Sequence, residues 1–171
     1  TYDVYKDDTL LNRKPKKSRK IFVCLDEQRG QYLVDGLVAM DFPLSSGVKA
    51  YPTKTGDYTV ISKKEDHASN LYGKMYDAEG KCINYNAEST DPVPEGGRFD
   101  GSPMPYWQRL TNAGLGLHVG KVRRHPISHG CVRLPRNVAE ILYKQTSVGT
   151  PVTIQRTPLP VPEAQKAPAV Q

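Results

Sequence analysis

No run of about 18 apolar residues occurs in the 171-residue chain, so no segment of it reads as a membrane-spanning helix. Cysteine is scarce: Cys24, Cys82 and Cys131 are too few for a disulfide scaffold, and their spacing suits no zinc finger. An odd number leaves at least one free thiol in a monomer, while pairing of Cys24 with Cys82 stays open. Internal repeats are absent, and no aromatic ladder is interleaved with the basic residues, which argues against a nucleic-acid partner. The opening TYDVYKDD lacks the basic-then-apolar pattern of a secretory leader, which leaves a cytoplasmic protein or a mature or trimmed form.

What remains is a polar globular chain, 37% hydrophobic and 25% charged, long enough for one domain with its own core. Its net charge of +6 is unevenly spread, because Asn12–Lys20 (NRKPKKSRK) alone holds six cations. Such a run is a solvated segment or an attraction to an anionic polymer. The expected organisation is a basic extension over residues 1–18, a folded domain over 19–155, and a Pro-rich disordered tail over 156–171.

The stretch from Arg19 to Ser46 has short apolar runs separated by Gly-containing turns at Gln28-Arg29-Gly30 and Asp35-Gly36, predicting a meander of three antiparallel strands. GDYTVIS (Gly56–Ser62) reads as a further strand. From Lys63 to Gly101 the chain is polar, with LYGKMY and CINYN as candidate short strands, and DPVPEGGRFDGSPMP reads as loop. GLGLHVG (Gly114–Gly120) is a glycine-bounded strand carrying His118, and HGCVRL a short strand or turn. Val138, Ile141 and Leu142 recur on one helical face after Pro135, which suits a first helical position. TPVTIQ supplies a last strand. The fold class is mainly β with one principal helix.

The chemistry concentrates in ISHGCVRLP (Ile127–Pro135). A thiol attacks as its thiolate, and an imidazole or a helix N-terminus lowers its pKa. His118 lies thirteen residues before Cys131, room for a strand, a loop and a return into contact. Gly130 lets the backbone approach a substrate, and amides near Cys131 can face a developing oxyanion. A Cys–His acyl-transfer site is coherent. Two readings compete with it. His118, His129 and Cys131 could be three zinc ligands, although no carboxylate stands beside either histidine to orient it. Alternatively, SHGC is a turn around a satisfied buried thiol, and spacing alone does not decide between them.

The run LHVGKVRRHPISHGCVRLP resembles the signature of the L,D-transpeptidase (YkuD-type) catalytic domain: a histidine, then at a loop's distance Ser/Thr-His-Gly-Cys, a hydrophobic residue, and Asn or Arg. Upstream, FPLSSGVKAYPTKTGDYTV is similar to that family's strand, Ser-x-Gly turn and following segment. SPMPYWQRL is similar to the stretch before its histidine strand. The resemblance covers roughly Arg19 to Ile154 and implies a β-sandwich or barrel with a helix after the cysteine.

It also implies attack on a peptidoglycan tetrapeptide stem before its terminal D-alanine, an acyl-thioester, and resolution by an amine of another stem. Carried over to these positions, Cys131 is the nucleophile and His118 its base, with the Val119 carbonyl or Ser128 orienting the imidazole. His129 and Gly130 shape the oxyanion side, and Arg133 sits in the substrate site. Water as acceptor would make a carboxypeptidase, and a protein lysine a wall-anchoring enzyme. An idle thiol would leave a peptidoglycan-binding module.

No cofactor, metal or nucleic acid is implied; stem peptides are the partners, and the periplasm or cell envelope is the location. Two departures stand out. Only nine residues separate His118 from Ser128, and Arg133 stands where many members carry Asn; a guanidinium fork favours a substrate carboxylate. Tyr106 and Trp107 are either a stacking wall for the stem or, for the single Trp in a polar domain, a core anchor.

Overall fold

The computed structural model describes residues 3–160. In chain order its elements are β1 (Tyr5–Lys6), α1 (Asp8–Leu11), β2 (Arg19–Cys24), β3 (Arg29–Val34), β4 (Leu37–Pro43), β5 (Gly56–Thr59), β6 (Ser62–Lys64), β7 (Ala68–Tyr76), β8 (Cys82–Glu88), β9 (Arg98–Pro103), β10 (Trp107–Arg109), β11 (Gly116–Val119), β12 (Val132–Leu134), α2 (Arg136–Gln145) and β13 (Pro151–Gln155). The chain divides into two compact units, residues 64–105 forming one and the remainder the other.

The larger unit contains a six-stranded sheet ordered β1-β4-β3-β2-β13-β5 and a four-stranded sheet ordered β12-β11-β10-β6. β2, β3 and β4 form the expected antiparallel meander. Asp35 and Gly36 turn the chain between β3 and β4 at φ 51° and 80°, the paired positive φ values of a two-residue hairpin turn. The Asp35 carboxylate also accepts from the backbone amides of Lys17 and Ser18 at 2.6 and 2.8 Å, which docks the basic segment on this hairpin.

The turn before β3 differs from expectation. It occupies residues 25–28, with Gln28 at φ 49°, and Arg29 and Gly30 lie inside β3. The reason is packing: Arg29 Nε sits 2.8 Å from both oxygens of Asp41, a wholly buried carboxylate on β4. A Cβ at position 30 would fall 2.4 Å from the Phe42 ring, so this strand position accepts glycine alone.

Ile21, Val23, Tyr32, Met40 and Phe42 are completely buried, and burying each such side chain is worth about 1.5–3 kcal/mol. β13 pairs in parallel with β2, Val152 opposite Ile21 and Gln155 opposite Cys24. α2 buries Val138, Ala139 and Leu142 on one face. Pro135 is its N-cap, and the first helical residue is Arg136, one position later than expected. At the other end the Lys63 ammonium donates to the carbonyls of Tyr143 and Thr146, placing a cation at the negative pole of the helix.

Residues before 19 contribute β1, paired with β4, and α1, whose Leu10 and Leu11 join the core. Among residues 156–160, Arg156 pairs with Asp26 at 2.6 Å and Leu159 is buried. The rest of the expected disordered tail, 161–171, lies outside the described residues.

The smaller unit is a three-stranded antiparallel sheet, β8-β7-β9, with register shifts on both sides of β7. The stretch DPVPEGGRFDGSPMP, expected to be loop, supplies β9: its Gly, Pro and charged residues hide the alternation, and pairing with β7 provides the order instead. The mainly β architecture with one principal helix after Cys131 stands as expected. All three cysteines are free thiols, Cys24 buried and the other two partly so.

Candidate active site

β11 and β12 run in parallel, with His118 opposite Arg133 and Leu117 opposite Val132. Side chains alternate across a strand, so Leu117, Val132 and Leu134 face the core, where all three are buried. His118 and Arg133 therefore share the opposite face, and Cys131 ends the turn that leads directly into β12. One parallel pairing brings the imidazole and the guanidinium to one side of one sheet, with the thiol in the turn that precedes β12.

The His118 imidazole is 6% exposed, and its Nδ1 lies 2.6 Å from the carbonyl oxygen of Val119. A carbonyl only accepts, so Nδ1 carries the hydrogen and the basic lone pair of the neutral ring is on Nε2. The Val119 carbonyl thus holds the ring in the tautomer a general base needs. Ser128, the other candidate for that task, uses its hydroxyl on the backbone. It donates to the Cys131 carbonyl at 2.5 Å and accepts from the Gly130 amide at 3.1 Å.

The Cys131 thiol donates to the Gly114 carbonyl at 3.2 Å. Burial pushes its pKa up, while the Gly116 amide and the positive charges of Arg109 and Arg133 pull it down less strongly. The helix whose N-terminus was expected close to the thiol starts only at Arg136, beyond β12. Against that burial, the two arginines and the Gly116 amide favour ionisation of the thiol.

Arg133 is half-buried and its stem lies against Gly120, where a Cβ would fall 2.7 Å from its Cδ. Burial lowers its pKa and Cys131 raises it. Among the described residues it forms no ion pair. Trp107 is 2% exposed, its ring 6.0 Å from that of His118, so it is a packed wall behind the histidine and not an open stacking surface. Tyr106, at φ 55°, packs edge-on to Tyr143. His129 is exposed, its ring edge-on to Tyr51 at 5.0 Å. Among the described residues no three His, Cys, Asp or Glu side chains converge as a metal site.

Sequence reasoning placed residues 45–53 in the resemblance to the family but gave them no role in holding this turn. Ser45 exchanges backbone hydrogen bonds with Arg133 at 3.1 and 2.8 Å, and the Ser46 carbonyl accepts from the amides of Ile127 and Ser128. Gly47 approaches so closely that a Cβ there would fall 2.8 Å from the Gly130 Cα. Thr53, 5% exposed, accepts from the Gly47 amide at 2.8 Å and donates to the Gly130 carbonyl at 2.5 Å. Nothing local in KAYPTKTG signals that last bond, which spans 77 residues.

The YkuD L,D-transpeptidase catalytic domain family matches residues 18–154 of the chain. Probable L,D-transpeptidase 3 of Mycobacterium tuberculosis is 32% identical over 120 residues, covering 66% of this chain and 38% of that protein. An Enterococcus faecium L,D-transpeptidase, solved as a cysteine-to-serine mutant, is 27% identical with a TM-score of 0.58, covering 81% of this chain and 50% of that one. L,D-transpeptidase 3 from Mycobacterium tuberculosis, solved with a faropenem-derived adduct, is 24% identical with a TM-score of 0.60, covering 81% and 60%. The chain therefore spans less than two thirds of the length of each of these relatives.

Proposed function

The chain belongs to the YkuD family of L,D-transpeptidase catalytic domains, and from that membership we propose that it is a cysteine-dependent L,D-transpeptidase acting on peptidoglycan stem peptides in the periplasm or cell envelope. The observation that supports this most is the pairing of His118 with Arg133 beside the Cys131 turn, with the imidazole tautomer set by Val119.

In this reading His118 Nε2 takes the thiol proton as Cys131 Sγ attacks the carbonyl carbon preceding the terminal D-alanine. The carbonyl π pair moves to oxygen, and backbone amides of the 129–131 turn face the oxyanion. Collapse breaks the C–N bond, the imidazolium gives its proton to the departing D-alanine amine, and a thioester remains on Cys131. An amine of a second stem then loses a proton to His118, attacks the thioester and breaks the C–S bond, which restores the thiol. Arg133, half-buried and without an ion pair among the described residues, receives a substrate carboxylate through its two-pronged guanidinium.

The test is product mass after incubating the protein and Cys131→Ala with disaccharide-tetrapeptide muropeptides. Dimers lacking one alanine, formed by the native protein alone, are the expected result. Tripeptide without dimer would replace transpeptidation by carboxypeptidation at the same thiol. Unchanged tetrapeptide with both proteins would overturn the reading.

A further inference from the structure

Two side-chain hydroxyls, of Ser128 and Thr53, make three hydrogen bonds to the backbone of the SHGC turn, with different consequences. The Ser128 hydroxyl takes the Gly130 amide and gives its proton to the Cys131 carbonyl. Both bonds close within the turn and fix its curvature. The third comes from outside: Thr53 Oγ1 donates to the Gly130 carbonyl while accepting from the Gly47 amide. One buried oxygen thus joins two backbone segments, and with its single proton given to Gly130 and its acceptor side taken by Gly47, its orientation is determined.

The bond to Gly130 O matters because of what shares its peptide plane. A trans peptide is planar, and its C=O and the next N–H point in opposite directions. Fixing the Gly130 carbonyl toward Thr53 therefore fixes the Cys131 N–H to point the other way. Gly130 itself sits at φ 122°, in the region open to glycine, so its own torsions restrain the plane weakly. Gly47 allows the two segments to approach closely enough for the bond to form. In acyl transfer the amide of the nucleophile's own residue is well placed to meet the developing oxyanion, and its value depends on being aimed before the reaction starts.

We propose that Thr53 is a positioning residue of the reaction, whose hydroxyl sets the direction of the Cys131 amide by pinning the Gly130 carbonyl. The proposal rests on the thiol chemistry proposed above. It requires that Thr53 act on steps that create an oxyanion and spare steps that do not.

Two reactions of the same thiol separate these requirements. Faropenem acylates a thiol through a tetrahedral oxyanion, whereas iodoacetamide alkylates it by displacement of iodide without one. Both rates are read by intact mass for the native protein, Thr53→Val, Thr53→Ser and Cys131→Ala. Thr53→Val is expected to slow acylation on the order of 10- to 100-fold, leave alkylation unchanged, and be rescued by Thr53→Ser. If Thr53→Val slows both reactions equally, Thr53 only supports the fold and the proposal is overturned. Equal acylation of Thr53→Val and native protein overturns it as well. If Thr53→Val does not fold, Thr53→Ala carries the same pair of rates. Failure of the native protein to acylate, or acylation persisting in Cys131→Ala, would instead sink the underlying reading of Cys131.

Discussion

Two thiols, the buried Cys24 and the partly buried Cys131, each near an arginine, sit in different surroundings within the same unit. Cys24 ends β2 directly opposite Arg29 and donates to the Arg156 carbonyl at 3.4 Å; Cys131 precedes Arg133 by two residues and donates to the Gly114 carbonyl at 3.2 Å. Burial raises the pKa of both. The difference lies in where the arginine's charge goes. Arg29 bonds Asp41, Glu27 and the carbonyls of Leu159 and Pro160, so its charge is used inside the protein. Arg133 meets no carboxylate among the described residues and raises the local potential at Cys131. On the proposed chemistry, a thiol near an arginine is structural in the first case and reactive in the second, and the arginine's partner set distinguishes them.

The comparison breaks most sharply on the thiols themselves. Cys131→Ala should abolish acylation by faropenem and dimer formation from muropeptides, whereas Cys24→Ala should retain both, as intact mass would show. Retained acylation in Cys131→Ala would remove the contrast altogether. Next in size is labelling of the native protein by iodoacetamide. Cys131 should react at least ~100-fold faster than Cys24, which is wholly buried and reacts only after local opening. In denaturant the two rates should converge, and peptide mapping would measure them.

The arginines should separate along different axes. Arg29→Met leaves the Asp41 carboxylate buried without its partner, expected to cost about 3–5 kcal/mol in urea unfolding. Arg133→Gln should change stability by less than ~1 kcal/mol, yet weaken stem-peptide use by about 10- to 100-fold, mainly in KM, the worth of a charge-assisted bond. A large loss of stability in Arg133→Gln with KM untouched would assign it to the scaffold beside Arg29.

The smallest effect is one the two regions share. Cys24 and Cys131 keep their protons to higher pH in the fold than in the unfolded chain, and so does Tyr32, whose phenol burial pushes up to about 12. Through these three groups the native state binds more protons at alkaline pH, with an opposite contribution from Lys63, whose burial lowers its pKa. Stability should fall as pH rises above the ordinary thiol and phenol values, about 8.5 and about 10, and should keep falling until Tyr32 itself ionises. Urea midpoints between mildly alkaline pH and pH 11 would show this, and Tyr32→Phe should flatten the upper part. A midpoint that rises over that range would reverse the sign.

Much of this was legible in the chain because it is local. The meander follows from turn residues and alternation, and α2 from Val138 and Leu142 one turn apart. His118 and Cys131 stand out through the resemblance of their run to the family signature, since spacing alone leaves a nucleophile, a zinc ligand and a buried thiol open. What escaped is what distant residues impose. Arg29 and Gly30 resemble turn residues, and only Asp41 and Phe42 from the next strand hold them extended. α1 is four residues long, too short for a period to show, and is stabilised by Leu10 and Leu11 in the core. The resemblance implies the Val119 carbonyl or Ser128 as the group that orients His118; the Ser128 hydroxyl bonds the backbone of its own turn. Thr53 has no local mark, since its partner lies on another part of the chain.

The parallel pairing of β13 with β2 also governs when the molecule can form. Cys24 and the Arg156 carbonyl it bonds are 132 residues apart, and Ile21 through Cys24 wait for Val152 through Gln155 before the sheet is complete. Closing so long a loop is paid for before its contacts return anything, which places folding among the slower, milliseconds-to-seconds class. A ribosome or a translocation pore that still holds the final strand holds the central sheet open, so the domain stays threadable until almost all of it has emerged.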